Sequence, residues 1–246
     1  MERLLEALGV ERGDVVCVAG AGGKTTVVER LAEEARQAGL TALVTATTHM
    51  GGLAASGLPL VLESDGDADR RIARALAERD RVWLLGERLR EDKLRGVPPE
   101  RVDALVGQAD LLLVEADGAR RRSLKAPGPQ EPVLPSRTSL LIVVAGLDAI
   151  GRPFGPEVVH RFEIACALTG AAAGRPIDAA LFADLLRHPE SYPSRRPAGA
   201  RLALFLNKAD GEGAPEAVAR LEGHLAPPYD RVAVGSAAEG WARRVA

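Results

Sequence analysis

Aromatic residues make up only 3% of this 246-residue chain, and it has just two cysteines. So few aromatics leave little surface for stacking nucleobases along a strand, and a formal net charge of −2 provides no overall attraction to nucleic acid or to an anionic membrane. Neither is an expected partner. Cys17 and Cys166 are far apart in apolar surroundings and form no Cys-x-x-Cys pair. The expectation is two buried, reduced thiols. No apolar run approaches the length that spans a bilayer, and Met1–Glu6 reads as a charged amphipathic helix start rather than the apolar core of a signal peptide. These absences together point to the cytoplasm. Arginine far outnumbers lysine beside abundant Ala and Gly, which reads as coding bias rather than function.

A hydrophobic fraction of 46% and a charged fraction of 27% are enough to build a sizeable core. Continuous apolar runs at Asp14–Ala19, Thr41–Ala46, Arg81–Leu85, Asp110–Glu115, Ser139–Ala145, Arg201–Leu206 and Arg231–Val234 read as strands, with a shorter one at Pro59–Glu63. Runs without alternation belong to strands covered on both faces, the mark of a parallel sheet between helical layers. Helical patterns fall at Lys24–Ala38, Ala68–Arg79 and Pro99–Gly107. Asp117–Arg137, rich in Arg, Pro and Gly, reads as an ordered loop over the carboxyl ends of the strands. Residues 151–199 read as a helical insertion, with helices near Val158–Leu168 and Asp178–Leu186 and a mobile tail from Pro189 to Pro197. The expected fold class is α/β: a three-layer fold of the phosphate-loop NTPase kind in one domain, its sheet mainly parallel with helices on both faces.

The sharpest local signal is Val15-Val16-Cys17-Val18-Ala19-Gly20-Ala21-Gly22-Gly23-Lys24-Thr25-Thr26. A strand ends in glycines, and a helix opens on Lys-Thr-Thr. Glycines let backbone N–H groups curl toward phosphate oxygens, the helix N-terminus adds partial positive charge, Lys24 adds a full one, and the Thr25 hydroxyl suits Mg²⁺. Gly20, Ala21, Gly22, Gly23, Lys24, Thr25 and Thr26 are therefore the expected phosphate-binding residues. The long form of the motif would start with glycine where Val18 stands, so this is the shorter Gly-x-x-Gly-Lys-Thr-Thr form, similar to that of Mur-type peptide ligases. Two other readings compete with it. One is a dinucleotide fingerprint, which would need a third glycine at Thr25, and the other is a plain glycine turn.

Further along, Leu111–Val114 ends in Glu115 and, two residues on, Asp117. Alternation with period two puts both acids on one side, where they can share Mg²⁺ or position an attacking water. The competing reading is two solvated loop acids. Asn207-Lys208-Ala209-Asp210 follows an apolar strand and matches the guanine-reading motif, in which a carboxylate accepts from N1–H and N2–H₂. Asn207 would contact the base or hold the loop, and the Lys208 stem would lie along the ring. Ser236-Ala237, after the last strand, fits a loop that holds the base through backbone N–H groups. Thr47 and Thr48 follow the second strand, where a hydroxyl can reach Mg²⁺ or the γ-phosphate, and Thr47 is taken as a metal-site candidate. His49 reads either as a base or metal ligand or as a hydrogen-bonded structural residue, and His160 reads as structural; the Arg120–Lys125 cluster reads either as a solvated face or as a clamp on the triphosphate or an anionic second substrate.

Gly20–Thr26, Thr47–Met50, Val114–Ala119, Leu124–Pro127, Glu131–Val133, Gly146–Gly151, Val159–Arg161, Leu168–Gly170 and Asn207–Asp210 occur in an order that resembles the YqeC family, described as accessory proteins of selenium-dependent molybdenum hydroxylases. The resemblance covers nearly the whole chain. It departs at Phe162, where the family usually has proline after His-Arg. The resemblance implies a part in maturing the cofactor site of such a hydroxylase, with that enzyme or its maturation proteins as partners, and implies that His49, His160 and the Arg120–Lys125 stretch matter. The expected function is thus a Mg²⁺-dependent NTPase, GTP favoured over ATP. Lys24, Glu115 and Asp117 would be its catalytic groups, and Thr25, Thr47, Glu115 and Asp117 its metal ligands. Two alternatives stay open: an ATP-dependent ligase or kinase acting on a small acid, and a nucleotide-gated binding protein or chaperone without significant turnover.

Overall fold

A computed structural model describes residues 2–51, 57–221, 224–225 and 227–246. The apolar runs become strands of a nine-stranded sheet: β1 (Val15–Gly20), β2 (Ala42–Ala46), β3 (Leu60–Leu62), β4 (Arg81–Leu85), β5 (Leu111–Glu115), β6 (Leu140–Gly146), β7 (Arg201–Asn207), β8 (Arg231–Ser236) and β9 (Trp241–Arg244). Their order across the sheet is β9-β8-β7-β6-β1-β5-β2-β4-β3, and all neighbours are parallel except β9, which runs antiparallel to β8.

Alternation along β1 shows the two cores directly. Val15, Cys17 and Ala19 join the core on one face, and Val16 and Val18 join the core on the other. Helices α1 (Leu4–Leu8) and α2 (Lys24–Gln37) cover the second face. The first face is covered by α3 (Ala68–Arg79), α4 (Pro99–Ala104), α5 (Phe162–Thr169), α6 (Ala179–Arg187) and α7 (Ala214–Leu221). This is the three-layer α/β architecture anticipated from the apolar runs. The Cys17 thiol is buried and pushed up to about 12 by that burial, so it stays protonated. Cys166 is only half-buried, contrary to the expectation of two enclosed thiols.

The chain leaves β1 through α2 and returns at β2, two places away on one side, with β5 between them; β6 then takes the other side. The carboxyl end of β1 is therefore a point where the strand order reverses, the place where open α/β sheets bind ligands. Among the described residues, no helix is long and apolar enough to cross a membrane.

Three local features differ from expectation. Strand β9 was not anticipated, because Trp-Ala-Arg-Arg at a half-solvated edge carries no apolar run. The helix expected from Val158 begins only at Phe162. Val159–His160 is instead a short strand, paired in parallel with Leu124–Lys125, and Arg161 follows in the left-handed region at φ 57°. The Pro189–Pro197 tail, expected to be mobile, contains a 3₁₀ turn at Tyr192–Arg195, with Ser191 and Tyr192 fully buried. Ile142 on β6 is also fully enclosed. Ile142→Ala should lower unfolding free energy by about 2–5 kcal/mol, read from the urea midpoint, whereas Val106→Ala at an exposed position should stay within about 0.5 kcal/mol.

Candidate phosphate-binding site

The loop between β1 and α2 turns on glycines at positive φ. Gly20 sits at φ 98°, and a Cβ there would collide with the Val144 carbonyl oxygen of β6. Gly22 presses equally close on the Gly146 backbone. A larger residue at either place would push the loop off the sheet.

The loop amides divide into two groups. Gly20 N–H donates to both Asp117 carboxylate oxygens (3.2 and 3.1 Å), Ala21 N–H to the Val144 carbonyl (2.9 Å) and Gly22 N–H to the Arg122 carbonyl (3.0 Å). These three face protein, contrary to the expectation that the whole glycine run turns inward to a ligand. The first intrahelical bond of α2 runs from Val27 N–H to the Gly23 carbonyl. The N–H groups of Lys24, Thr25 and Thr26 precede it and have no intrahelical acceptor, so the anion-seeking part of the cradle is the helix start itself.

Lys24 is buried, an unusual place for an ammonium group. Its Nζ donates to the Gly20 carbonyl (2.9 Å) and lies 3.4 Å from Asp117 Oδ1 and 3.9 Å from Glu115 Oε1. The Thr25 hydroxyl donates to Glu115 Oε2 at 2.7 Å. Burial raises the Glu115 carboxyl above its ordinary range, and Lys24 and Thr25 pull it part of the way back.

The two acids expected to share a metal occupy different settings. Glu115 reaches the Thr25 hydroxyl at the mouth of the helix. Asp117 is fully enclosed and accepts from Gly20 N–H, Tyr192 Oη–H (2.8 Å) and Lys125 Nζ (2.9 Å), with Lys24 beside it. Its oxygens are occupied by donors, so its observed surroundings are those of an internal counter-ion, not of a metal ligand. Burial, with Asp117 adding to it, holds the Tyr192 phenol far above its ordinary range, so it remains a donor.

Lys125 extends this arrangement. It is fully buried, donates to the Gly118 carbonyl (2.6 Å) and pairs with both Asp117 and Glu131, each at 2.9 Å. Arg161 in turn grips Glu131 through two hydrogen bonds (2.8 and 2.9 Å). A chain of alternating charge thus runs Lys24–Asp117–Lys125–Glu131–Arg161, from the phosphate loop to the start of α5. Lys125 belongs to its structural part, so the basic cluster is not a single solvated face. Tyr192 was missed by sequence reasoning, and a lone tyrosine in a Pro/Arg-rich stretch offers no signal.

On the other side, Asn207 Nδ2 donates to the Gly22 carbonyl (2.8 Å), and its Oδ1 accepts from Ala237 N–H (3.0 Å). Of its two anticipated roles, the observed one is holding loops together. The Ala237 N–H expected to face a base is taken by Asn207, a second departure from expectation. The buried Ser236 hydroxyl oxygen accepts from Glu239 N–H, and Arg30 of α2 donates to the Ala237 and Ala238 carbonyls. Lys208, at φ 65°, directs its Nζ to Asp148 (2.7 Å), and Asp210 is exposed. Thr47 lies beside the end of β5, its N–H on the Glu115 carbonyl and its hydroxyl on the Val133 carbonyl (2.7 Å). His49 is exposed.

Among the described residues, no group of three or more His, Cys, Asp or Glu side chains forms a metal cage. Mg²⁺ bound with a polyphosphate needs none, because one or two protein oxygens complete a shell of phosphate and water. The Thr25 hydroxyl and the Glu115 carboxylate fit that requirement.

Glu131 makes the network sensitive to acid. Burial pushes its carboxyl up, but Arg161 and Lys125 more than offset this, and its pKa falls to about 2. A depressed carboxyl adds stability that is complete above its unfolded value and lost as pH drops through the folded one. Between pH 5 and 2 the melting temperature should therefore fall. Glu131→Gln should be less stable at pH 7 and show a shallower fall over that range. Parallel acid limbs in the two proteins would refute the assignment.

Comparison with known proteins places this chain in a family. The model of the YqeC protein family matches residues 16–163, which include the loop, both acids and the Lys125–Glu131–Arg161 chain. The chain is 32% identical over 202 residues to the uncharacterized protein YqeC of Escherichia coli (strain K12), covering 80% of this chain and 77% of that one. Among solved structures, the hydrogenase maturation factor HypB from Archaeoglobus fulgidus is similar at 14% identity and TM-score 0.44, covering 96% of this chain and 87% of that one. The signal recognition particle receptor FtsY from Elizabethkingia anophelis gives 14% identity and TM-score 0.39, with 91% of this chain covered and 58% of that one. FtsY from Mycoplasma mycoides gives 15% and 0.40, with 92% and 61%. The chain belongs to the YqeC family.

Proposed function

We propose that this protein binds a nucleoside triphosphate with Mg²⁺, hydrolyses it, and in doing so assists maturation of a selenium-dependent molybdenum hydroxylase in the cytoplasm. The observation that carries the nucleotide reading is the buried Lys24 ammonium at the mouth of α2, beside a threonine already hydrogen-bonded to a carboxylate.

In this reading the N–H groups of Lys24, Thr25 and Thr26 and the Lys24 ammonium hold the β- and γ-phosphates. Lys24 has to turn from Asp117 toward the phosphates, and Asp117 keeps Gly20 N–H, Lys125 and Tyr192 as donors when it does. The Thr25 hydroxyl and Glu115 hold the metal, which supplies charge neutralisation at the transferring phosphoryl group. Glu115 also orients water. Thr47, whose N–H bonds the Glu115 carbonyl, is the third candidate ligand. Phosphoryl transfer depends mainly on positioning and electrostatics, so no further nucleophile is required.

Guanine is the favoured base. Asp210, exposed at the end of β7, presents a carboxylate to N1–H and N2–H₂, while Asn207 fixes the spacing between the base loop and the phosphate loop. The hydroxylase as beneficiary rests on membership of the YqeC family together with the resemblance noted from the motifs.

Lys24→Ala should abolish triphosphate binding in calorimetry while leaving the far-UV circular dichroism unchanged; retained affinity would remove the phosphate-loop assignment. Asp210→Asn should shift preference from GTP to XTP in a competition assay. An unchanged ranking of ATP, GTP and XTP would take base reading away from that carboxylate.

A further inference from the structure

Beside the phosphate loop, most of the basic side chains have a partner. Arg122 pairs with Glu157, Lys125 with Asp117 and Glu131, Arg161 with Glu131, and Lys208 with Asp148. Arg120 and Arg121 are exposed and, among the described residues, have no ion pair or hydrogen bond through their side chains.

The backbone that presents these two arginines is unusual. They are consecutive non-glycine residues in the left-handed region, at φ 48° and 60°. Such a pair persists only where its surroundings over-determine it, and such positions gather at functional sites. Here the surroundings are explicit. Arg122 N–H bonds the Ala119 carbonyl across the turn, and the Arg122 carbonyl accepts from Gly22 N–H of the phosphate loop. The Ser123 carbonyl accepts from Gly146 N–H, and its hydroxyl donates to Asp148. The turn is therefore pinned to the loop after β1 and to the end of β6, with its two guanidinium groups left over.

His160 lies on the short strand that pairs with the continuation of this turn. It lies opposite Lys125 in the short parallel ladder, half-buried, and its ring has no hydrogen-bond partner among the described residues. The charges that bear most on it are the cations Lys125, Arg161 and Arg120 and the anion Glu131. Burial and those three cations bring its pKa down to about 4, so the ring is neutral at pH 7 and stands in a positive field.

We propose that Arg120, Arg121 and His160 form a second anion subsite beside the phosphate loop, which takes the oxyanion group of a small co-substrate. The two arginines supply forked donors for phosphate or carboxylate oxygens, and His160 supplies one ring N–H. Placed against the loop through Arg122 and Gly22, a bound oxyanion would lie beside the triphosphate rather than on it. The inference rests on the nucleotide reading for its purpose, but not for its detection.

The test uses the full chain with Mg²⁺ and a non-hydrolysable GTP analogue at saturation, at constant ionic strength in chloride. Inorganic phosphate is titrated in one arm and malonate in the other, with the His160 ring followed by NMR and assigned by its loss in His160→Gln. The expected result is a saturable shift of the His160 signal in at least one arm, with its pKa rising as the anion docks; the arm that responds identifies the oxyanion. Arg120→Gln/Arg121→Gln, which keeps the backbone preference of the turn, should weaken that binding at least about tenfold and leave the analogue's affinity unchanged. A non-saturable response in both arms, or equal binding by the double variant, overturns the subsite. Loss of analogue affinity in the double variant also overturns it and places the arginines on the triphosphate. If the analogue itself fails to bind, the nucleotide reading fails, while the response of His160 to phosphate in the protein alone still decides the subsite.

Discussion

One enclosed carboxylate organises this site. Asp117 has no exposure to solvent, yet it accepts from a loop amide, a lysine and a tyrosine hydroxyl and faces a second lysine. Each donor comes from a different part of the chain: the end of β1, the start of α2, the loop after β5 and the segment before β7. A charge taken out of water is tolerated only when hydrogen bonds and opposite charges replace its hydration, and removing one partner strands the rest. The buried position of Lys24, the seating of Gly20 and the docking of the 189–197 segment therefore depend on one another through a single side chain.

That dependence gives the candidate site its electrical character. Lys24 and Lys125 flank Asp117, Glu131 and Arg161 continue the alternation, and Glu115 stands at the outer end with a raised proton affinity. Asn207 performs the mechanical counterpart, tying the phosphate loop at Gly22 to the turn at Ala237, while Arg30 ties that turn to α2. Ion pairs and hydrogen bonds connect the Lys24 ammonium to Asp117 and, through Lys125 and Tyr192, to the segments around α5 and α6.

The legible parts were those governed by neighbours in the chain. Apolar runs at 15–20, 111–115, 140–146 and 201–207 became central parallel strands because a strand covered on both faces has no polar side to show. Gly-Gly-Lys-Thr-Thr became a helix start because Gly22 and Gly23 take φ values of 86° and 114° that side chains disfavour, and the Glu-, Leu-, Ala- and Arg-rich residues after Val28 favour helix. Less legible was β9, an edge strand whose arginines face water, and the Leu124–Lys125/Val159–His160 ladder, two residues long on each side, too short to carry a pattern. Tyr192 left no trace at all, because burial of a side chain in a Pro-rich stretch depends on what packs over it.

Sequence alone determined the sheet's central strands and the bend after β1, and it singled out Lys24, Thr25, Glu115 and Asn207 as candidates, since all of these follow from residue type and spacing over a few positions. Only the tertiary structure separated Glu115 from Asp117. Alternation set both on one side of a strand, but whether a carboxylate faces a helix mouth or is closed in by donors depends on groups up to 97 residues away, and Gly20 is that far from Asp117. The same long-range closure decided that Lys125 is internal while Arg120 and Arg121, a few residues earlier, are left facing water. Local sequence sets what each group is able to do, and burial and partners, which exist only once distant segments meet, decide which groups do it.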